Sequence, residues 1–265
     1  MNDQLSPEEL FTLLEALADQ RNHPDELSFE RPDPLLIARR SPDPRHALVC
    51  ALLSYGQAKS IVKCLDHLQT DIWEMPEEKI IDSMKGLYYR FQTSYDIAQM
   101  VITIKRATCS RTLEEIFCEG YEKEGKVVEG LATMIGTLLD VNTYRSPGYD
   151  FLTGRIPLPH NPKGSAQKRW HMYLRWMVRR DWLDMGLWSK VKTKDLLLPL
   201  DTHTFRLSRH LGLLARKSCD LGAVYEVTKV LQGFCPDDPV KYDFALYRLG
   251  QEKGVLGGES LKLLS

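Results

Sequence analysis

The stretch "GSAQKRWHMYLRWMVRRD", residues 164–181, decides the fold class and raises the functional question of this chain. It combines eight apolar residues with five Lys or Arg, an unusual mixture for one helix. Apolar residues recur at helical spacing and predict one face in the core: Trp170, Tyr173, Leu174 and Met177. Basic residues recur on another face, at steps of three, four and four, and predict a basic stripe: Lys168, His171, Arg175 and Arg179.

The helical period continues outward from this stretch through most of the chain. Further helices are predicted over residues 6–20, 45–55, 60–70, 76–85, 92–106, 111–120, 127–141, 165–180, 202–211 and 221–234, and from Asp238 to about 253. Residues 146–164 are rich in Pro and Gly and predict a long loop. No segment alternates with period two as a strand would. We therefore predict an all-α bundle of about ten helices.

Composition is ordinary for a globular protein, but charge is unevenly distributed. The chain has 265 residues, a net charge of −1 and 27% charged residues, which allows one large or two small domains. Residues 156–180 contain six Lys or Arg and no acid, whereas residues 1–31 are rich in Asp and Glu. This asymmetry predicts a basic face on a neutral body, which suits an anionic partner.

The six cysteines give no sign of a metal or redox site. None of them forms a CxxC pair or an iron–sulfur run, so neither a metal nor an organic cofactor is predicted. Scattered thiols without a signal peptide predict a cytoplasmic protein. No apolar run approaches the roughly 18 residues of a membrane span, so no membrane association is predicted.

Lys168 and Asp201 are the candidate catalytic pair. A lysine amine at the start of a helix has a fixed geometry and can act as a nucleophile. Asp201 ends "LPLD" and precedes a predicted helix, where an Asp most often serves only as an N-cap. The same carboxylate can also stabilise a developing positive charge. Lys163 remains a rival nucleophile, and the basic stripe can equally be a solvated face.

Several motifs together resemble the helix–hairpin–helix DNA glycosylases, the HhH-GPD superfamily. "SAQKRWHMYLRWMVRRD" followed by "LPLDTHTFRLSRHLGL" is similar to their catalytic core. "HALVCALLSYGQ" at 46–57 and "VKYDFALYRLG" at 240–250 resemble their early and late helices. The chain looks like a bacterial family of unsettled function within this superfamily (DUF2400), related to archaeal 8-oxoguanine DNA glycosylases. The resemblance covers roughly residues 40–255, and the order and spacing of the motifs make it specific.

The resemblance implies roles for individual residues. Lys168 matches the Schiff-base lysine and Asp201 the catalytic aspartate of the superfamily. The implied base pocket consists of Gln57, Asp243, Tyr247 and Met172. Alternatives remain open: Tyr247 can be a core residue, and Asp243 can be a salt-bridge partner of Arg206 or Arg248. Tyr88 and Tyr89 are either stacking surfaces or buried aromatics.

One motif of the superfamily is missing here. Its "LPGVG" hairpin, which points backbone N–H groups at a DNA phosphate, is replaced by "IPLPHNPKGSAQ", residues 156–167. We expect Lys163, Gly164 and Ser165 at the helix start to take over that contact. The predicted DNA-binding set comprises Lys163, Gly164, Ser165, Arg169, Arg175, Arg179, Arg206 and Arg209.

The implied function is base-excision repair by a DNA glycosylase with β-lyase activity, acting on an oxidised purine such as 8-oxoguanine. The expected partner is damaged duplex DNA, and the expected protein is a nucleoid-associated bacterial monomer. The predicted organisation is an acidic helical extension (1–40), a glycosylase-like domain of two helical subdomains (41–255) and a tail (256–265). Two alternatives stay open, a non-catalytic nucleic-acid-binding protein and an enzyme for another substrate such as modified RNA.

Overall fold

A computed structural model of the chain describes residues 5–255, so the predicted tail lies outside the described residues. These residues form thirteen α-helices and no strand, as the prediction of an all-α fold required. The helices are α1 (Pro7–Arg21), α2 (Pro34–Ala38), α3 (Pro44–Leu52), α4 (Ala58–Leu65), α5 (Glu77–Ser83), α6 (Ser94–Ala107), α7 (Leu113–Glu124), α8 (Val127–Val141), α9 (Pro147–Thr153), α10 (Lys168–Val178), α11 (Thr202–His210), α12 (Leu221–Phe234) and α13 (Asp243–Val255). Three short 3-10 helices are Pro24–Glu26, Ile72–Glu74 and Thr193–Asp195.

Helix starts follow the capping residues of the sequence. Ser6 caps α1 with Pro7 behind it, and Glu9 completes a reciprocal capping box. Asp201 caps α11 as predicted. These short polar side chains satisfy backbone N–H groups that have no partner inside the helix, which fixes where each helix begins.

Two of the differences from the predicted helix boundaries have a clear physical reason. The predicted loop 146–164 begins with α9, because Ser146 caps it, Pro147 opens it, and Tyr149 and Leu152 are buried against the core. The last helix begins at Asp243 rather than at Asp238. The carboxylate of Asp238 binds the Arg179 guanidinium at 2.9 Å, and so serves a tertiary contact in place of a cap.

Helix α2 was not predicted, and it lies within the segment assigned to the N-terminal extension. Asp33 caps it by accepting a hydrogen bond from the backbone N–H of Leu35 at 2.9 Å. Leu35 and Ile37 are fully buried, and α2 packs against α3 and α4. Burial of these side chains makes α2 part of the main core.

The core is centred on α10, which packs on α3. Every residue from Trp170 to Val178 is buried, so this helix is covered on all sides. Helix α1 packs on α13, where the Glu15 carboxylate binds the Lys241 ammonium at 2.7 Å. Within residues 5–255, no helix is both long and apolar enough to cross a membrane.

Candidate active site

A cleft of about 1030 Å³ opens where the starts of α2, α4, α10, α11 and α13 converge. Five segments that are far apart in sequence therefore contribute side chains to one cavity. All six residues predicted as catalytic or base-binding line this cleft: Gln57, Lys168, Met172, Asp201, Asp243 and Tyr247. Their placement together is a structural finding, while their roles remain predictions.

Lys168 is the first residue of α10 and is half-buried in the cleft wall. The preceding residue, Gln167, adopts a left-handed conformation (φ 48°), and its side-chain amide donates to the Arg155 carbonyl at 2.8 Å. The Lys168 Nζ lies 3.3 Å from the Sδ of Met172, which is a weak acceptor. Among residues 5–255 no carboxylate forms an ion pair with this amine, so it is directed at the cleft without being neutralised there.

Asp201 lies at the start of α11 and keeps one oxygen available. Its Oδ1 accepts hydrogen bonds from the backbone N–H groups of His203 and Thr204, both at 2.8 Å. The described residues provide no partner for Oδ2, and the residue lines the cleft. The cap therefore orients the carboxylate, and the N-terminus of the helix stabilises its negative charge. Capping and a catalytic role are compatible in this geometry.

Asp243 is buried at the start of α13 and binds the Arg175 guanidinium, not Arg206 or Arg248 as the alternative interpretation held. Arg248 instead pairs with Glu26, at 3.3 Å. Burial raises the pKa of Asp243 to about 6, and the nearby charges of Arg175 and Lys168 oppose that rise. The carboxyl group therefore changes charge in a range close to neutrality.

Tyr247 and Gln57 reach the cleft from two different elements, α13 and the start of α4. The Tyr247 hydroxyl accepts a hydrogen bond from the Gln251 amide at 2.7 Å, and burial raises the pKa of this phenol well above its usual range. Gln57 is exposed at the start of α4, and its side chain makes no capping hydrogen bond. Its amide is therefore free to meet a ligand. Gly56 before it has φ 98°, a conformation that favours glycine.

The predicted basic stripe is wrong for three of its four members. His171 is buried, neither ring nitrogen has a hydrogen-bond partner, and burial lowers its pKa to about 4. Arg175 and Arg179, both predicted to bind DNA, are held inside the protein. Only Lys168 of this set reaches the cleft with its cation unpaired.

Carboxylates from later segments neutralise the two arginines. Arg175 Nε lies 3.1 Å from Asp184 Oδ1, and its Nη1 binds Asp243. Arg179 binds Asp181, Asp184 and Asp238 at 2.8, 2.5 and 2.9 Å. A guanidinium that is buried among carboxylates cannot also bind a phosphate of DNA, so neither residue provides a DNA-binding surface.

The loop before α10 also differs from the prediction. Helix α10 begins at Lys168, so Lys163, Gly164 and Ser165 precede its first turn. The backbone N–H groups of Lys163 and Gly164 donate to the side chain and carbonyl of Asn161, at 3.1 and 3.0 Å. These N–H groups are consequently not available for a phosphate, although the Lys163 side chain is exposed. Ser165 lines the cleft.

The remaining predicted DNA-binding residues fall into two groups. Arg206 and Arg209 are exposed on α11 and form no ion pair with any described residue. Arg169 is half-buried and donates to the backbone carbonyls of Leu52 and Phe151. Burial lowers its pKa to about 10. No carboxylate among residues 5–255 forms an ion pair with this guanidinium, so it adds positive charge to the cleft wall.

An aromatic cluster beside the cleft was missed by the sequence analysis. The Arg169 guanidinium lies 4.6 Å from the centre of the Phe151 ring, and Tyr55 lies 4.6 Å from the same ring. Phe91 packs on both aromatic rings and is 47% exposed. The two tyrosines offered as stacking surfaces differ in burial: Tyr88 is exposed, whereas Tyr89 is buried. We name Tyr55, Phe91, Phe151 and Arg169 the aromatic rim.

Asp33 is a second residue that the sequence analysis missed. It lines the cleft although it lies in the segment to which no function was assigned. The sequence "DPLL" after Arg31-Pro32 carries the signal, since Asp before Pro is a common helix start. Within residues 5–255, no group of three or more His, Cys, Asp or Glu is arranged to hold a metal ion.

Comparison with known proteins identifies a family but no function. The family described as "Protein of unknown function (DUF2400)" matches residues 33–252. The match begins at Asp33, the first residue of the cleft along the chain. No curated protein and no solved structure matches the chain.

Proposed function

The chain belongs to the DUF2400 family, and we propose that its cleft is the active site of a DNA glycosylase with β-lyase activity. The proposed substrate is duplex DNA that carries an oxidised purine such as 8-oxoguanine. The helix–hairpin–helix glycosylase resemblance of the sequence is part of this proposal. One observation supports it above all others. Lys168, Asp201 and the four implied base-pocket residues, which come from four helices, line the same cleft.

The cleft is suited to a nucleotide that has left the double helix. Its volume of about 1030 Å³ is larger than one nucleotide needs, and its walls combine aromatic and polar groups. Enzymes that act on a base extrude it and hold it by stacking and hydrogen bonds. Trp176, Phe244 and Tyr247 supply apolar lining, while Gln57 and Asp243 supply hydrogen-bonding groups.

Lys168 would carry the covalent chemistry. Its ammonium first gives up a proton, and the neutral Nζ forms a bond to C1′ as the C1′–N9 bond breaks. The electron pair of that bond leaves with the base, which takes up a proton. Opening of the sugar ring then releases O4′ as a hydroxyl and leaves a Schiff base between C1′ and Nζ. Loss of a 2′ proton breaks the C3′–O3′ bond by β-elimination.

Asp201 would stabilise the charge that develops at C1′. A positive charge grows on the sugar as the base leaves, and a fixed carboxylate stabilises it without moving. Asp201 is fixed because its Oδ1 accepts two backbone hydrogen bonds, which leaves Oδ2 for the cleft. The proton that Lys168 loses passes to water in the cleft, so that Asp201 keeps the negative charge that this role requires.

The aromatic rim would contact the DNA beside the cleft. Exposed aromatic rings and unpaired arginines bind unstacked bases and phosphates. Phe91 and Phe151 are partly exposed, and Arg169 packs on Phe151 and has no carboxylate partner among the described residues. Electrostatic attraction of the phosphate backbone would come from exposed cations such as Arg206 and Arg209.

The decisive experiment is borohydride trapping. The full chain is incubated with labelled duplexes that carry 8-oxoguanine, uracil, an abasic site or no lesion, and the Schiff base is reduced to a stable adduct. We expect an adduct with the wild type and none with Lys168→Gln. Lys163→Gln is the matched control, because Lys163 is exposed on the neighbouring loop outside the cleft. It should form the adduct at the wild-type level.

The outcomes separate the proposal from its alternatives. An adduct that persists in Lys168→Gln and disappears in Lys163→Gln would move the nucleophile to the loop. Retained DNA binding without an adduct on any duplex would contradict the proposal and favour a non-catalytic nucleic-acid-binding protein. The duplex that gives the strongest adduct identifies the base that is removed.

A further inference from the structure

Asp33 has a carboxylate oxygen that is available to a ligand in the cleft. The residue is only 6% exposed and lines the cavity. Its Oδ1 accepts a hydrogen bond from the backbone N–H of Leu35 at 2.9 Å, while its Oδ2 has no hydrogen-bond or ion-pair partner among residues 5–255. An ionised carboxylate oxygen without a protein partner can accept hydrogen bonds from a ligand in the cleft.

Asp243 presents a second oxygen of the same kind. Its Oδ2 binds Arg175, and the described residues give its Oδ1 no partner. Asp33 and Asp243 are both buried residues that line the cleft, and both lie near enough to Tyr247 and Arg175 to influence their charge states. Each ionised carboxylate accepts hydrogen bonds and donates none.

Two neighbouring acceptors select a ligand edge with neighbouring N–H donors. The Watson–Crick edge of a guanine-type base carries N1–H and N2–H₂ side by side. The corresponding edge of an adenine-type base carries an acceptor, N1, beside its amino group. In a site built from acceptors, the adenine N1 would face a carboxylate oxygen, and two acceptors cannot form a hydrogen bond. The site would therefore favour a guanine-type base strongly over an adenine-type base.

We infer that Asp33, together with Asp243, reads the donor edge of a guanine-type base in the cleft. The inference rests on the proposed function and specifies its substrate class. Asp33 is then a specificity-determining residue that the N-terminal segment contributes to the site. Arg175, which binds Asp243, and the nearby charge of Lys168 offset part of the negative charge of Asp243.

Equilibrium binding to two oxidised bases tests the inference. The probes are duplexes with a single 8-oxoguanine or 8-oxoadenine, which differ at the Watson–Crick edge, and the full chain carries Lys168→Gln to prevent turnover. We expect 8-oxoguanine to bind more tightly. Adding Asp33→Asn should reduce that preference about ten-fold to a hundred-fold, the range for a hydrogen bond to a charged group. Asn also caps helices, so α2 should persist.

Asp43→Asn is the matched control. Asp43 caps α3 in the same way, by accepting from the backbone N–H of Arg45 at 2.8 Å, but it lies outside the cleft. Its variant should keep the preference for 8-oxoguanine. The inference is overturned if Asp33→Asn keeps the preference, changes binding of both duplexes equally, or if the starting protein shows no preference.

Failure of the inference and of the proposed function can be told apart. Trapping on an abasic duplex needs no base in the pocket, so it reports Lys168 chemistry alone. Trapping with an unchanged base preference in Asp33→Asn would overturn only the role of Asp33. A changed preference without trapping would support the acceptor pair and contradict the lyase.

Discussion

Both ends of α10 carry basic residues, but only those at the last end form ion pairs with carboxylates of the described residues. At the first end, Lys168 and Arg169 form no ion pair with any carboxylate in the part of the chain that the structure describes. At the last end, Arg175 and Arg179 are surrounded by carboxylates of Asp181, Asp184, Asp238 and Asp243. The difference shows that a cation serves function or architecture according to which acids the rest of the chain brings to it.

Location along the helix explains the division. The start of α10 opens into the cleft, where the Lys168 side chain is half-buried. Arg175 and Arg179, toward the end of the helix, instead contact the segments that hold the four aspartates. A buried arginine requires such partners, because an unpaired charge in the interior is strongly destabilising. An amine that must react requires their absence, because an ion pair would hold it protonated.

The largest expected effect is a loss of stability at the last end of α10. Arg175→Met leaves the buried carboxylates of Asp184 and Asp243 without one of their partners, which should lower the free energy of unfolding by about 3–5 kcal/mol. Lys168→Met should change it by less than about 0.5 kcal/mol, as expected outside such networks. Urea titration of both variants measures the free energy of unfolding. Equal values for the two variants would contradict the conclusion that Arg175 has a structural role and Lys168 does not.

Asp201→Asn should separate catalysis from capping. Asn caps a helix about as well as Asp, so stability and DNA binding should stay near those of the wild type. Excision in single-turnover assays should fall on the order of 10²- to 10³-fold, the cost of losing one charge-stabilising group. Asp220→Asn, which alters the N-cap of α12, serves as control. Undiminished excision would leave Asp201 as a cap alone.

Asp243 should give the protein a specific pH dependence of stability. Its folded pKa of about 6 lies above the unfolded value of roughly 3.9, so the folded state binds the proton more tightly. Its contribution is therefore fully present below about pH 4 and is lost as the pH rises through 6. Relative to Asp243→Asn, the unfolding free energy of the wild type should increase when the pH is lowered from 7 to 4. A pH-independent difference would contradict this.

The smallest expected effect concerns salt. Arg206→Ala and Arg209→Ala should each reduce the slope of log K against log salt by about 0.9, if each residue binds one DNA phosphate. Arg179→Met should leave the slope unchanged, because that guanidinium binds three carboxylates inside the protein. Fluorescence anisotropy between 50 and 200 mM salt, roughly the range in which such slopes are read, makes the comparison. A reduced slope in Arg179→Met would show that Arg179 binds a DNA phosphate after all.

Local signals in the sequence were enough for most of the architecture. Helical periodicity gave the all-α fold, and Ser6 and Asp201 marked where two helices begin. The motif resemblance named six residues that the structure places along one cleft. Predicted helix boundaries were wrong where a capping residue makes a tertiary contact instead. Asp238 is an example, because its carboxylate binds Arg179 and does not cap a helix.

The sequence by itself determined the helices, the family and the residues worth testing, because periodicity, caps and motifs act over a few neighbouring positions. Only the tertiary structure decided which cations of α10 are free, which arginines are neutralised, and that Asp33 and the aromatic rim belong to the cleft. Several of these outcomes depend on groups far apart in the sequence, such as Arg179 and Asp238, which are 59 positions apart, or Asp33 and Asp243, which line one cleft. No local pattern encodes that proximity, since it arises only when the whole core packs.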